Sequence, residues 1–182
     1  GYFSGRAIQV LVNPDEPQVV VHAHINASAR SAATLVLPVE SLGSGYYVMG
    51  YDQHGMAGAG YFSYSIIATE PNTTFLVHQR VDRVVGPTLK ITLPNVGDVY
   101  QFLSVDDYTG TYVEADPATS ACKTFAMFSG SSGIMIPFDI DNSLNPLFQQ
   151  LYSVNNWGKK YAYVPFSGPD KGSMLRIVAQ DD

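Results

Sequence analysis

Residues 41–51 read SLGSGYYVMGY, and residues 155–166, which hold the single tryptophan, read NNWGKKYAYVPF. At an offset of 115 residues, Val39 falls on Val154, Leu42 on Trp157, Gly43 on Gly158, Tyr46 on Tyr161 and Tyr51 on Phe166. Farther on, residues 66–68 (IIA) fall on 177–179 (IVA) at an offset of 111. Upstream, 10–19 (VLVNPDEPQV) is a looser match to 111–120 (TYVEADPATS). The three matches keep the same order in both halves. Solenoid repeats have periods of about 20–50 residues, so a period this long points to tandem or interlocked copies of a larger unit. Two related units are expected, at about 1–103 and 104–182, the second stopping short of where the first continues through 73–105.

Working outward, the 182 residues are enough to bury a real core. Hydrophobic residues make up 46% and charged residues 14%, with 12 Tyr, 9 Phe, 16 Gly and 11 Pro. That mixture favours strands punctuated by turns. The net charge is −6 and the one adjacent basic pair is Lys159-Lys160, so there is no cationic face for nucleic-acid phosphates. No apolar run approaches the about 20 residues of a membrane span. The lone Cys122 has no internal disulfide partner, so it is either a small buried hydrophobe or paired outside this chain. The sequons at Asn26 and Asn72 are glycosylation acceptors in a secreted eukaryotic setting.

Short strand-like runs recur at 6–12, 18–25, 33–40, 45–51, 61–68, 73–79, 88–93, 99–105, 110–114 and 123–128. Turn signals fall at 13–17, 70–72, 85–87 and 95–97. The first two runs read as a hairpin about the Pro-rich turn, and the spacing as a whole is that of an all-β sandwich. Asn145 followed by Pro146 predicts one short helix over 146–152, with Asn145 as its cap. The expected fold is therefore all-β: two related sandwich-like units packed together, with one short helix.

Residues 37–48 (LPVESLGSGYYV), 107–130 (DYTGTYVEADPATSACKTFAMFSG) and 147–168 (LFQQLYSVNNWGKKYAYVPFSG) resemble the N-terminal domain of the IgG Fc-binding protein. The resemblance runs from about residue 34 to the end. Its most specific part is a short helix ending in Leu, then V-x-x-W-G and a strand closing on Pro-Phe. It implies an extracellular, β-rich, non-enzymatic module for adhesion or binding within a larger secreted or cell-surface protein. It carries no ligand residues to transfer. Family members often carry a cysteine just after the Phe-Ser-Gly segment and another before the short helix. Here those places read 131–133 (SSG) and 142–144 (NSL), so that staple is missing.

No set of nucleophile, base and oxyanion donors assembles from the sequence. Residues 129–133 (SGSSG) lack the glycine spacing of a nucleophile elbow and read as a flexible turn. Residues 55–60 (GMAGAG) lack the lysine and following helix of a phosphate loop. His22 and His24 share a face if they lie on a strand, with His54 or His78 as a third metal ligand; the plainer reading turns Val19, Val21, Ala23 and Ile25 to the core and the histidines to water. Asp139, Asp141 and Asn142 resemble the start of an oxygen-rich calcium loop, although Leu144 and Gln150 break the EF-hand pattern. A looser structural calcium site is the one cofactor the sequence offers. Asp106-Asp107 reads as a solvated turn.

Matched large residues in both copies (Leu42 with Trp157, Tyr46 with Tyr161) read as core anchors. Recognition is then expected in the long loops 52–60, 131–146 and 167–173, with His54, Asp139, Asp141, Asn142 and Asp170 as candidate ligand residues. The expected partner is an extracellular protein or glycan. The competing class is a carbohydrate-active enzyme on a β-scaffold, which needs two carboxylates facing each other across a cleft.

Overall fold

The structure is a computed structural model that describes residues 1–27, 30–51, 60–135, 144–164 and 175–180. Eleven strands form among the described residues: β1 (Tyr2–Phe3), β2 (Val21–Ala27), β3 (Arg30–Val36), β4 (Gly45–Tyr47), β5 (Phe62–Ala68), β6 (Thr73–Val81), β7 (Val84–Leu93), β8 (Val99–Ser104), β9 (Tyr112–Ala115), β10 (Phe125–Ile134) and β11 (Asn145–Gln150). They make a five-stranded sheet in the order β1-β8-β5-β10-β11, a four-stranded sheet in the order β4-β9-β6-β7, and the ribbon β2-β3. Every pairing is antiparallel. The all-β, sandwich-like fold follows from a period-two pattern, clearest in β5. There Phe62, Tyr64, Ile66 and Ala68 are buried while Ser63, Ser65 and Ile67 are only partly covered. From the facing sheet, Phe75, Val77 and Val113 close on them, and Tyr46 and Phe75 meet Phe125 edge-on at 4.7 and 4.8 Å. Edge-to-face contact is the preferred geometry for aromatic rings and ties the two sheets together.

Both large sheets take strands from either side of residue 103: β4 pairs with β9, and β5 with β10. The β2-β3 ribbon docks on the free edge of β11. Gln150 N–H donates to Thr34 Oγ1 at 3.0 Å, and Gln150 Oε1 accepts from Leu37 N–H at 2.8 Å. Gln150, whose side chain is buried, thus meets the ribbon with both its backbone N–H and its side-chain oxygen.

Several local expectations are corrected. Asn145–Gln150 is a strand, not a helix. Pairing with β10 satisfies its backbone, and Pro146, which has no N–H, sits opposite the register shift between Ser131 and Ile134. The only described helical turns are 3-10 turns at Val39–Ser41 and Val154–Asn156. Residues 129–133 are not a turn but the interior of β10, where a side chain on Gly130 would overlap the Leu147 carbonyl. The β6-β7 hairpin turns at Asp82 and Arg83, both with positive φ (48° and 70°), as the mirror-image hairpin turns require. The Gly-Pro at 86–87 lies inside the edge strand β7, where a missing N–H is tolerated. Residues 6–12 form no strand; they are in no regular element and largely exposed, and β2 makes its hairpin with β3 instead. Val21 and Ala23 are half-buried and His22 and His24 exposed, but Val19 and Ile25 face solvent rather than a core. Cys122 is exposed, not a buried hydrophobe.

The matched anchors also differ from expectation. Tyr46 is fully buried, Leu42 and Trp157 are half-buried, and Tyr161 is 80% exposed. Trp157 lies against Tyr47 at 5.5 Å and donates from Nε1 to the Tyr152 carbonyl at 3.3 Å. Of the four expected core anchors only Tyr46 is fully buried, and among the described residues no second sheet closes over the 157–161 stretch.

Candidate functional site

Antiparallel pairing puts the start of β5, the end of β8, the end of β10 and the start of β11 at one end of the five-stranded sheet. The register pairs that fix this are Phe62 with Ser104, Phe62 with Ser131, and Ile134 with Asn145. Just beyond, Gly60 N–H donates to the Gly133 carbonyl at 2.8 Å and Tyr61 N–H to Ser132 Oγ at 2.7 Å. Gly60 is required there, since a Cβ would overlap Ser132. In the facing sheet, the chain leaves β4 through Gly50, whose N–H donates to Thr109 Oγ1 at 3.0 Å and whose Cα abuts the Phe62 ring. Arg176 then closes the group. It donates to the Gly50 carbonyl and to Asp107 Oδ2, and its guanidinium sits 5.0 Å from the Tyr51 ring centroid, a cation–π distance.

The candidate ligand residues fall on segments outside the described residues: His54 in 52–59, Asp139, Asp141 and Asn142 in 136–143, and Asp170 in 165–174. What the structure brings together is the ends of those segments. Gly60 meets Gly133, and Tyr51 meets Arg176. Each of the three segments therefore has at least one end joined to the described chain at this end of the sandwich.

Sequence reasoning passed over the residues that build this end. Asp107 is not a solvated turn residue: its side chain is mostly buried and paired with Arg176 at 2.5 Å. Burial works against its ionisation, but hydrogen bonds from Thr109 and Arg176, with the Arg176 charge, outweigh that and hold the carboxyl below its ordinary range. Nothing in the sequence marks a pair separated by 69 residues. Beside it, Asp107 N–H donates to Asp82 Oδ1 at 3.2 Å, and Asp82 N–H donates to the Asp107 carbonyl at 2.9 Å, tying the β6-β7 hairpin to the group.

A second polar group lies on the outer face of the four-stranded sheet. His78 Nδ1 is 3.1 Å from Thr88 Oγ1, its Nε2 is 3.0 Å from Glu114 Oε1, and its ring stacks on Tyr112. His78 therefore has the acid partner that its sequence context did not reveal. Hydroxyl, imidazole and carboxylate are the parts of a nucleophilic triad, but they lie on an open strand face with His78 well exposed. Thr88 and Tyr112 are the direct cross-strand neighbours of His78, so the set is a ladder of cross-strand pairs. Among the described residues no three His, Cys, Asp or Glu side chains gather where they would hold a metal ion. No described helix is long and apolar enough to cross a membrane.

Asn26 and Asn72 are both exposed, Asn26 on β2 and Asn72 in the β5-β6 turn with φ of 50°. No curated protein and no solved structure shows significant similarity to the chain. The sequence profile of the family described as "IgGFc binding protein" matches residues 32–182, from β3 to the last residue, and so takes in both large sheets apart from β1. The match covers most of the chain, and the protein belongs to the IgGFc binding protein family.

Proposed function

We propose that this chain is an extracellular, non-catalytic binding module of a larger secreted or surface protein, and that it takes hold of a protein or glycan with the end of the sandwich described above. The observation that carries the reading is the convergence of three segment ends on a single hydrogen-bonded rim (Gly60 on Gly133, Tyr51 on Arg176), in a member of a family named for binding immunoglobulin Fc. A close-packed core presenting several loops at one end is the common design of recognition scaffolds. The rim's main charged pair, Asp107 with Arg176, is mutually neutralised and serves to position the chain rather than to exchange protons.

The test is a binding screen of the 182-residue chain against IgG Fc, mucins and a glycan array, with and without chelator. Replacing residues 52–59, or residues 136–143, with Gly/Ser sequence of equal length is expected to abolish binding while the circular dichroism spectrum stays unchanged. Binding that survives both replacements would move the site elsewhere. Chelator-sensitive binding would assign a calcium ion to Asp139, Asp141 and Asn142. Hydrolysis of a glycan or peptide, abolished by changing one carboxylate, would replace this reading with the enzyme alternative.

A further inference from the structure

Two segments of this chain fold alike, and among the described residues one lacks the strand partner that the other has. Val39–Ser41 and Val154–Asn156 are both 3-10 turns. Each follows an extended residue (Pro38 at φ −66°, ψ 154°; Ser153 at φ −64°, ψ 154°) and precedes another (Leu42 at −78°, 163°; Trp157 at −77°, 144°). Next comes a glycine whose N–H donates to the hydroxyl of the tyrosine three residues on. Gly43 reaches Tyr46 Oη at 2.9 Å, and Gly158 reaches Tyr161 Oη at 2.7 Å. Equivalent residues of the two turns also touch: Asn156 Nδ2 donates to the Ser41 carbonyl at 2.8 Å, a separation of 115 residues. The offset found in the sequence is therefore a structural equivalence, extending from backbone torsions to a side-chain hydrogen bond.

After the first turn, Gly45–Tyr47 becomes β4 and pairs with β9, with Gly45 opposite Glu114, Tyr46 opposite Val113 and Tyr47 opposite Tyr112. After the second turn, residues 159–164 are in no strand, and Tyr161, Tyr163 and Val164 stand exposed. A tyrosine set in the geometry of a core anchor but 80% exposed is an anchor with no neighbouring strand among the described residues. The complementary piece lies at the other end of the chain. Residues 10–19 match 111–120, which include β9, at an offset of 101, and Val10, Leu11 and Val12 are exposed and outside any strand. Charge agrees with the match: Lys159 and Lys160 adjoin one segment, and Asp15 and Glu16 the other.

We propose that residues 160–162 of one chain pair with residues 11–13 of a second copy as β4 pairs with β9, with Lys160 opposite Asn13, Tyr161 opposite Val12 and Ala162 opposite Leu11. The contact is head-to-tail. Each join leaves a free 160–162 segment at one end and a free 11–13 segment at the other, so copies add in line. The match at one position is between a β4 equivalent and a β9 equivalent, not between two identical edges, so two like ends do not join.

Directly opposed residues in an antiparallel hydrogen-bonded pair stand about 5.5 Å apart at Cα, within the range that a disulfide spans. Two variants carrying V12C and Y161C respectively, each with Cys122→Ser, are mixed under mild oxidation at micromolar concentration. A V12C–Y161C disulfide-linked heterodimer is expected in several-fold excess over either homodimer. It is expected to fall in high salt, and to be lost when the Y161C chain also carries Tyr163→Pro, which removes the donor equivalent to the Val48 N–H that bonds the Thr111 carbonyl at 2.8 Å. Val84→Cys, on another exposed site, serves as the reference partner for V12C. Equal yield with the reference, equal yield of homodimers, or a heterodimer indifferent to the proline would overturn the proposal. So would an intramolecular disulfide at high dilution in a chain carrying both cysteines.

Discussion

Tyr46→Phe and Tyr161→Phe make the same chemical change at equivalent positions, and the structure assigns them different costs. Tyr46 Oη accepts from Gly43 N–H at 2.9 Å and donates to the Phe125 carbonyl at 2.6 Å, all within the core. Phe125 N–H in turn donates to the Gly43 carbonyl at 3.1 Å, so the hydroxyl closes the end of the ladder between the two sheets. Removing it strands a buried donor and a buried acceptor, at about 1–3 kcal/mol each, offset in part by the lost cost of burying the hydroxyl. A net loss of about 3 kcal/mol follows. With a urea slope of about 2 kcal/mol/M for a chain of this size, the unfolding midpoint falls by about 1.5 M with the slope unchanged. Tyr161→Phe only returns an exposed Gly158 N–H to water, and surface changes of this kind stay within about 0.5 kcal/mol, or about 0.25 M. Urea titrations followed by intrinsic fluorescence and by circular dichroism, with coincident transitions as the two-state check, measure both. Equal midpoint shifts in the two variants, or a Tyr46→Phe shift below about 0.3 M, would refute the argument that the hydroxyl is a structural closure.

Tyr64→Phe is expected to be neutral or stabilising by up to about 1 kcal/mol in the same titration, because the buried Tyr64 hydroxyl has no partner among the described residues and burial drives its pKa upward. Trp157→Ala is expected to cost about 1–2 kcal/mol, less than a core tryptophan, because the indole is half-buried against Tyr47; a loss above about 3 kcal/mol would place it in a closed core. At acid pH, Asp98 sets a definite window. Burial opposes its charge, but hydrogen bonds from Asn95, Tyr2 and Gly5 lower its pKa from 3.8 to about 2. That contribution is present above pH 3.8 and is lost as pH falls towards 2, so Asp98→Asn should flatten the decline of Tm over that window. Expressed in a glycosylating host, the chain should carry more glycan on Asn72, at a tight exposed turn, than on Asn26, which pairs with Ser31 inside a ribbon; peptide mapping after enzymatic deglycosylation reads the two occupancies.

Which features the sequence disclosed depended on whether their cause was local. The alternation in β5 and the turn at Gly97, with φ of 81°, are written in neighbouring residues, and both were legible. The 146–152 segment was misread because its local signals, Asn then Pro then alternating apolar residues, are those of a helix start. The deciding partner was β10, whose Gly130 admits the Leu147 carbonyl at close range. The same holds at the rim: Asp107 looked solvated because Arg176 is remote in sequence. The two matched stretches are the instructive case. They share a turn, a glycine and a tyrosine closure, and these form in both settings because they are made within eight residues, 39–46 and 154–161. Burial did not transfer, because it belongs to the sheet that closes over the segment and not to the segment. Tyr46 has that sheet, supplied by β9 and Phe125, and Tyr161 has none among the described residues. A sequence match therefore predicts a residue's hydrogen bond more securely than its exposure. The mismatch between the two, a closed tyrosine motif facing solvent, is the reason the proposed strand pairing is placed at 160–162.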